Sequence, residues 1–148
     1  MPACTFFGHR ECDAAVADRL KAVITEMIEL YAVDCFYVGS QGRFDSIVQK
    51  VLTELMQQHH GIECTVVLAY MPAKHMESGL QTGIKTLLPE GIENVPRRFA
   101  IDWRNRWMLN HADYVVAYVN HSWGGAAKFA EMAARRGKML INLGSMRS

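Results

Sequence analysis

The chain has 148 residues, 50% of them hydrophobic and 21% charged, with 16 basic and 15 acidic side chains leaving a formal charge of +1. This length and balance predict one soluble globular domain, 1–148, with enough chain for a real core. A generic nucleic-acid binder or membrane-surface protein carries a stronger basic excess, so nucleic acid is disfavoured as a partner, while a small site with local positive charge stays open.

No apolar run approaches the roughly 20 residues of a membrane helix, so no membrane association is expected. The N-terminus turns polar at Gly8-His9-Arg10 after a short apolar stretch, which does not read as a signal peptide. The four cysteines, Cys4, Cys12, Cys35 and Cys64, include no C-x-x-C pair and do not form a zinc pattern. Cys4, Cys35 and Cys64 lie in apolar runs, where a free thiol behaves as a small hydrophobe. Reduced thiols predict a cytoplasmic protein. No two histidines have ligand spacing, and the expectation is no metal and no cofactor.

Cys4-Thr5-Phe6-Phe7 predicts a first buried strand. Val16, Leu20, Val23, Ile24, Met27, Ile28 and Tyr31 recur at spacings of three and four, an amphipathic helix with Asp13 as its N-cap. Cys35-Phe36-Tyr37-Val38 is a second strand, and Phe44, Ile47, Val48, Val51, Leu52, Leu55 and Met56 form a second helical stripe. Cys64 to Met71 is a third strand, apolar throughout, as expected when helices cover both faces of a sheet. From Pro72 to Pro96 the pattern fades into an irregular excursion with a short helix around Gln81 to Leu87. Arg97 to His111 is helical again, with Phe99, Trp103 and Trp107 on one side as core packing and Asp102 and Arg106 as a surface pair. Tyr114 to Val119 is a fourth strand, Ala126 to Arg136 a helix, and Met139 to Leu143 a fifth strand. Strands alternating with helices imply βαβ units, hence an α/β, Rossmann-like three-layer domain with a mostly parallel five-stranded sheet.

Ligands of such sheets bind at the carboxyl ends of the strands, where strand order reverses. The turns there carry Gly8-His9-Arg10, then Gly39-Ser40-Gln41-Gly42-Arg43-Phe44-Asp45, then Asn120-His121-Ser122-Trp123-Gly124-Gly125. Glycine lets backbone approach a ligand, a following helix presents free N–H groups, and arginine suits phosphate or carboxylate. Together they predict an anion-binding edge. No P-loop and no G-x-G-x-x-G is present, which argues against a P-loop NTPase and an ordinary NAD dehydrogenase.

Three segments, Phe7-Gly8-His9-Arg10, Gly39 to Asp45, and Arg104 to Lys138, resemble the SLOG superfamily of Rossmann-like nucleotide-binding domains. That superfamily includes the lonely-guy phosphoribohydrolases and the Rossmann domain of DprA, and its small single-domain bacterial and phage members look nearest. Against the lonely-guy pattern P-G-G-x-G-T-x-x-E, Gly124 and Gly125 match the leading glycines and Glu131 the glutamate, while Arg104 matches the arginine of the preceding helix. Trp123, Ala127 and Lys128 depart from the pattern's proline, glycine and threonine, with Lys128 able to supply a charge.

The resemblance implies a module that binds a nucleotide or nucleotide-derived small molecule through Gly8, His9, Arg10, Gly39, Gly42, Arg43, Asp45, Gly124, Gly125 and Lys128. A second reading is a phosphoribohydrolase-like N-glycosidase of nucleoside 5′-monophosphates with Arg104 and Glu131 as catalytic residues, where a carboxylate would aid attack on an oxocarbenium-like centre. Against it, Glu131 has Lys128 and Arg135 at helical spacing, the pattern of an exposed salt-bridged residue. Single-stranded DNA binding in the manner of DprA is the weakest reading, for want of a basic excess. Related proteins often dimerise, which makes a homodimer one expected state.

Overall fold

Alternate residues of the first strand, Cys4 and Phe6 against Thr5 and Phe7, are all buried, so both faces of the sheet must be covered. The structure, a computed structural model, describes residues 2–71 and 84–144. It contains β1 (Ala3–Gly8), α1 (Val16–Tyr31), β2 (Cys35–Val38), α2 (Gly42–Met56), β3 (Glu63–Val67), β4 (Lys85–Leu87), a 3-10 turn at Ile92–Asn94, α3 (Arg97–Asn110), β5 (Tyr114–Tyr118), α4 (Gly125–Arg135) and β6 (Met139–Asn142). All strands are parallel, in the order β4-β3-β2-β1-β5-β6. This is the expected Rossmann-like α/β architecture with six strands instead of five.

The two faces carry separate cores. Cys4, Phe6, Phe36, Val38 and Val66 pack with Leu20, Ile24 and Met27 of α1 and Phe44, Val48 and Leu52 of α2. Phe7, Val67 and Val115 pack on the other side with Met108 and Leu109 of α3 and Phe129 and Ala133 of α4. Burying such side chains contributes about 1.5–3 kcal/mol each relative to exposure.

Four local expectations change. The stretch expected to form a short helix around Gln81 to Leu87 holds β4 at Lys85–Leu87, paired to β3 at Thr65–Val67; its residues Gln81 to Gly83 lie outside the described residues. An edge strand of three mostly exposed residues has no alternation to detect. The third strand ends at Val67, short of Met71. On α3 the buried stripe is Ala100, Arg104, Met108 and Leu109, while Phe99 is exposed and Trp103 and Trp107 are half-buried. Trp107 packs edge-on against Tyr37 and flat on His111. Asp13 is not the N-cap of α1: Ala15 holds that position without a side-chain cap, and Asp13, three residues before the helix begins, accepts the Ala15 N–H on Oδ1 at 2.9 Å. Cys4 and Cys64 are buried, Cys35 half-buried, and all four thiols are free.

The sheet grows outward from β1 through β2, β3 and β4 on one side, and β5 and β6 lie on the other. Strand order therefore reverses between β1 and β5, and the crevice beyond their carboxyl ends is the place where this topology binds ligands. Past β5 the sheet is extended by one side chain. Asn142 Oδ1 accepts the Val119 N–H at 2.9 Å and its Nδ2 donates to the Val119 carbonyl at 3.0 Å, imitating a neighbouring strand.

Candidate functional site

A cleft of about 630 Å³ opens at this reversal point. It is lined from β1 by Gly8, His9 and Arg10, from the start of α2 by Gln41 and Asp45, from α3 by Ile101, Arg104, Asn105 and Met108, and from the β5–α4 turn by Asn120, His121, Trp123, Gly124 and Gly125. The cleft thus joins the three glycine-bearing turns, although not by all the residues expected.

The β1 and β5 tips are cross-tied. The His9 N–H donates to the Tyr118 carbonyl at 3.3 Å, and the Asn120 N–H donates to Nε2 of His9 at 3.0 Å. Nε2 must then carry a lone pair, which assigns the neutral ring's proton to Nδ1. Burial, and then the charge of His121, hold the His9 pKa below the usual histidine range. His9 stacks on His121 with centroids 3.5 Å apart, and His121 stacks on Trp123 at 3.7 Å. The result is a column of three rings, with its inner end buried at His9 and its outer end at Trp123, which is 69% exposed. Nδ1 of His121 is buried with no hydrogen-bond partner among the described residues.

Next to the column α4 begins. Gly124 holds φ +94°, ψ 171°, a backbone conformation that a side chain would strain, and no side chain caps the helix. The free N–H groups of the first turn and the positive end of the helix dipole therefore face the turn uncapped. A Cβ on Gly125 would meet nothing within 4 Å.

On the β2 side of the cleft the polar groups are buried and tightly held. Arg104 is 2% exposed; its Nη1 donates to the Val67 carbonyl at 3.0 Å and its Nε to Asn105 Oδ1 at 2.9 Å. Asp45, 7% exposed, accepts the Gln41 N–H on Oδ2 at 3.0 Å. A Cβ on Gly39 would lie 2.7 Å from Asp45 Oδ2 and 2.9 Å from Arg104 Nη1, so both side chains rest on the bare Gly39 backbone. Burial pushes the Asp45 carboxyl up to about 6, against the opposing pull of the Gln41 N–H and the Arg104 charge. Burial likewise lowers the pKa of Arg104, with Asp45 working to raise it.

Several expected residues lie elsewhere. Gly8 lines the cleft, but a Cβ there would collide with the Phe44 ring, so packing alone requires glycine. Gly39 sits beneath Asp45 and Arg104, as above. Gly42, at φ +91°, packs on the Arg10 backbone, and the Arg43 N–H donates to the Arg10 carbonyl at 2.8 Å. Gly42 and Arg43 therefore fix Arg10 through the main chain, and neither lines the cleft. Lys128 is turned to α3, its Nζ 2.7 Å from Asp102 Oδ1, while Arg106 holds the other Asp102 oxygen at 3.1 Å. Glu131 lies outside the cleft on an exposed face, paired with Arg135. The polar lining residues that sequence reasoning assigned no role are Glu11, Gln41, Asn105, Asn120 and His121, and Trp123 entered it only as a departure from a motif. His9 and His121 are far apart in the chain, and only the pairing of β1 with β5 brings them together.

No family model matches the chain, and no curated protein matches it. Solved structures do, among them two DprA proteins. DNA processing protein A (DprA) from Streptococcus pneumoniae superposes with a TM-score of 0.68 at 17% identity, over 99% of this chain and 52% of that one. DprA from Helicobacter pylori gives 0.66 at 14% identity, over 97% of this chain and 66% of that one. The chain thus spans about half the length of the pneumococcal protein. The Helicobacter structure is described by its single-stranded DNA binding mode. That finding overturns the expectation that nucleic acid is disfavoured. Net charge sums over the whole surface, whereas a single strand needs only a local groove with cationic and stacking groups. The chain has the Rossmann-like α/β fold of the DprA proteins.

Proposed function

We propose that the chain is a SLOG-type binding module whose cleft takes one nucleotide unit of a single-stranded nucleic acid. The phosphate sits at the start of α4 beside Arg10, and the base stacks on the Trp123 end of the ring column. The observation that carries this reading is the convergence of a stacking column and an uncapped helix N-terminus on one cleft at the strand reversal. Each half has a known affinity: helix N-termini favour phosphate, and base–aromatic stacking is worth about 1–3 kcal/mol per base. The fold likeness to a protein described as binding single-stranded DNA supports the same reading.

A free nucleotide is the second reading, favoured by the bounded cleft of about 630 Å³, well inside the roughly 300–1,000 Å³ of small-molecule sites. Hydrolysis by Glu131 draws no support from its exposed, salt-bridged position.

Fluorescence anisotropy with labelled single-stranded DNA and RNA, and with nucleoside monophosphates as competitors, tests the proposal. Single strands should bind with a clear salt dependence, and Trp123→Ala should weaken them by about tenfold or more while leaving the melting temperature unchanged. Binding of monophosphates alone selects the second reading. No binding of either class sinks both.

A further inference from the structure

The cleft has two poles of opposite character. Its β5 side holds the α4 N-terminus and the ring column; its β2 side holds Asp45. Two strand spacings separate β2 from β5, about 10 Å, a distance of the order of one nucleotide. The charged and titratable groups around the cleft are Arg10 and Glu11 after β1, His9 and His121 in the column, Asp45 on α2 and Arg104 on α3.

Asp45 is the buried acid of this set, and its environment orients it. Oδ2 is occupied by the Gln41 N–H and rests against Gly39. Among the described residues Oδ1 accepts no hydrogen bond, and Asp45 belongs to the cleft lining. Arg104 stands beside it but is committed to the Val67 carbonyl and to Asn105. A carboxylate repels phosphate and accepts hydrogen bonds from hydroxyls, with charge-assisted bonds about twice as strong as neutral ones. With phosphate drawn to α4 and the base to Trp123, the part of a nucleotide left for the Asp45 pole is the sugar.

We propose that Asp45 reads a sugar hydroxyl, so that the cleft prefers a nucleotide unit with a free 2′- or 3′-hydroxyl over an internal deoxynucleotide. This inference rests on the nucleotide reading above. The two sources of the hydroxyl, a ribonucleotide unit and a 3′ terminus, share one chemistry. Gln41 and Gly39 act as positioning residues for the carboxylate, and Arg104 helps to retain its charge.

The test is direct binding of the 5′-monophosphates of adenosine, guanosine, cytidine and uridine, each compared with its 2′-deoxy, 3′-deoxy and 2′,3′-dideoxy analogues, to the native chain. The dideoxy compounds should bind about tenfold more weakly at pH 7.5, and the monodeoxy pair tells which hydroxyl is read. The preference should fall as the pH drops below about 6, when the carboxyl takes a proton. It should also shrink in Asp45→Asn without loss of dideoxynucleotide affinity. Equal binding of all analogues overturns this inference and leaves the nucleotide reading standing; binding of none overturns this inference and the free-nucleotide reading, and the single-strand anisotropy then decides the leading reading alone. If Asp45→Asn does not fold by circular dichroism, the analogue series and pH profile of the native chain decide alone.

Discussion

Gly8 and Gly39 on one side of the cleft, and Gly124 and Gly125 on the other, are the same residue for different reasons. At Gly8 and Gly39 a Cβ has no room: it would enter the Phe44 ring in the first case and the Asp45–Arg104 cluster in the second. At Gly124 the nearest atom to a Cβ is His121 Cε1 at 4.0 Å, and at Gly125 there is none within reach. One pair of glycines lets the protein pack against itself. The other leaves space at an uncapped helix start, where a ligand's phosphate can come close to backbone. Glycine-rich turns that look alike in sequence therefore divide into internal packing and open approach.

Substitution by alanine separates the two classes. The largest effect belongs to Gly8→Ala, which forces Phe44 out of the core beneath β1; overpacking of this kind costs about 3 kcal/mol or more, and a chemical-denaturation curve should show a much lower midpoint or no folded chain. Gly39→Ala should cost less, about 1–3 kcal/mol, because the obstructing atoms are side-chain ends.

A subtler break in the packed side comes from pH. The folded-state pKa of Asp45, about 6, exceeds its usual 3.8, so the folded chain holds that proton more tightly than the unfolded chain does. Its contribution to stability is present in acid and is lost as pH rises from about 4 through about 6. His9, lowered by burial, acts in the opposite sense, losing stability as pH falls below 6.5. Comparing the melting temperature of the native chain with that of Asp45→Asn across this window isolates the carboxyl: the variant should lack the fall with rising pH. The smallest expected effect is Gly125→Ala, where φ is not left-handed and space is free. The fold should be unchanged or gain up to about 1 kcal/mol, and any loss should appear in nucleotide affinity only. A Gly125→Ala protein that unfolds as readily as Gly8→Ala would erase the distinction.

Periodicity disclosed most of the fold, since the helices and five strands each carry enough apolar residues to mark a face. Lys85–Leu87 does not, because an exposed edge strand three residues long has nothing to alternate against. Glu131 matched a motif, while the helix pattern around it already pointed to an exposed, salt-bridged face. Phe129, Ala130 and Ala133 form the buried stripe of α4, and a residue between them at 131 points outward on a 3.6-residue helix. Arg104 shows the reverse: its helix position was legible and its depth was not, because full burial of an arginine depends on acceptors such as the Val67 carbonyl that belong to another strand. The ring column depends on strand order, since nothing local tells His9 that His121 will be its neighbour. Near-neutral net charge was the least informative signal, because it averages away how charged groups are distributed locally.

Asn142 has one more consequence, for motion. By giving Val119 both a donor and an acceptor, it continues the β5–β6 ladder one rung past the last backbone pair. The turn that carries His121, Trp123 and Gly124 is therefore clamped at its first residue by a side chain and at its last by α4. Opening of the turn has to pivot between those two clamps, and the Val119 amide should exchange its hydrogen with the slow protons of the sheet while Ser122 and Trp123 exchange with the fast ones. Replacing Asn142 with alanine would move the pivot one residue inward and transfer Val119 from the slow set to the fast.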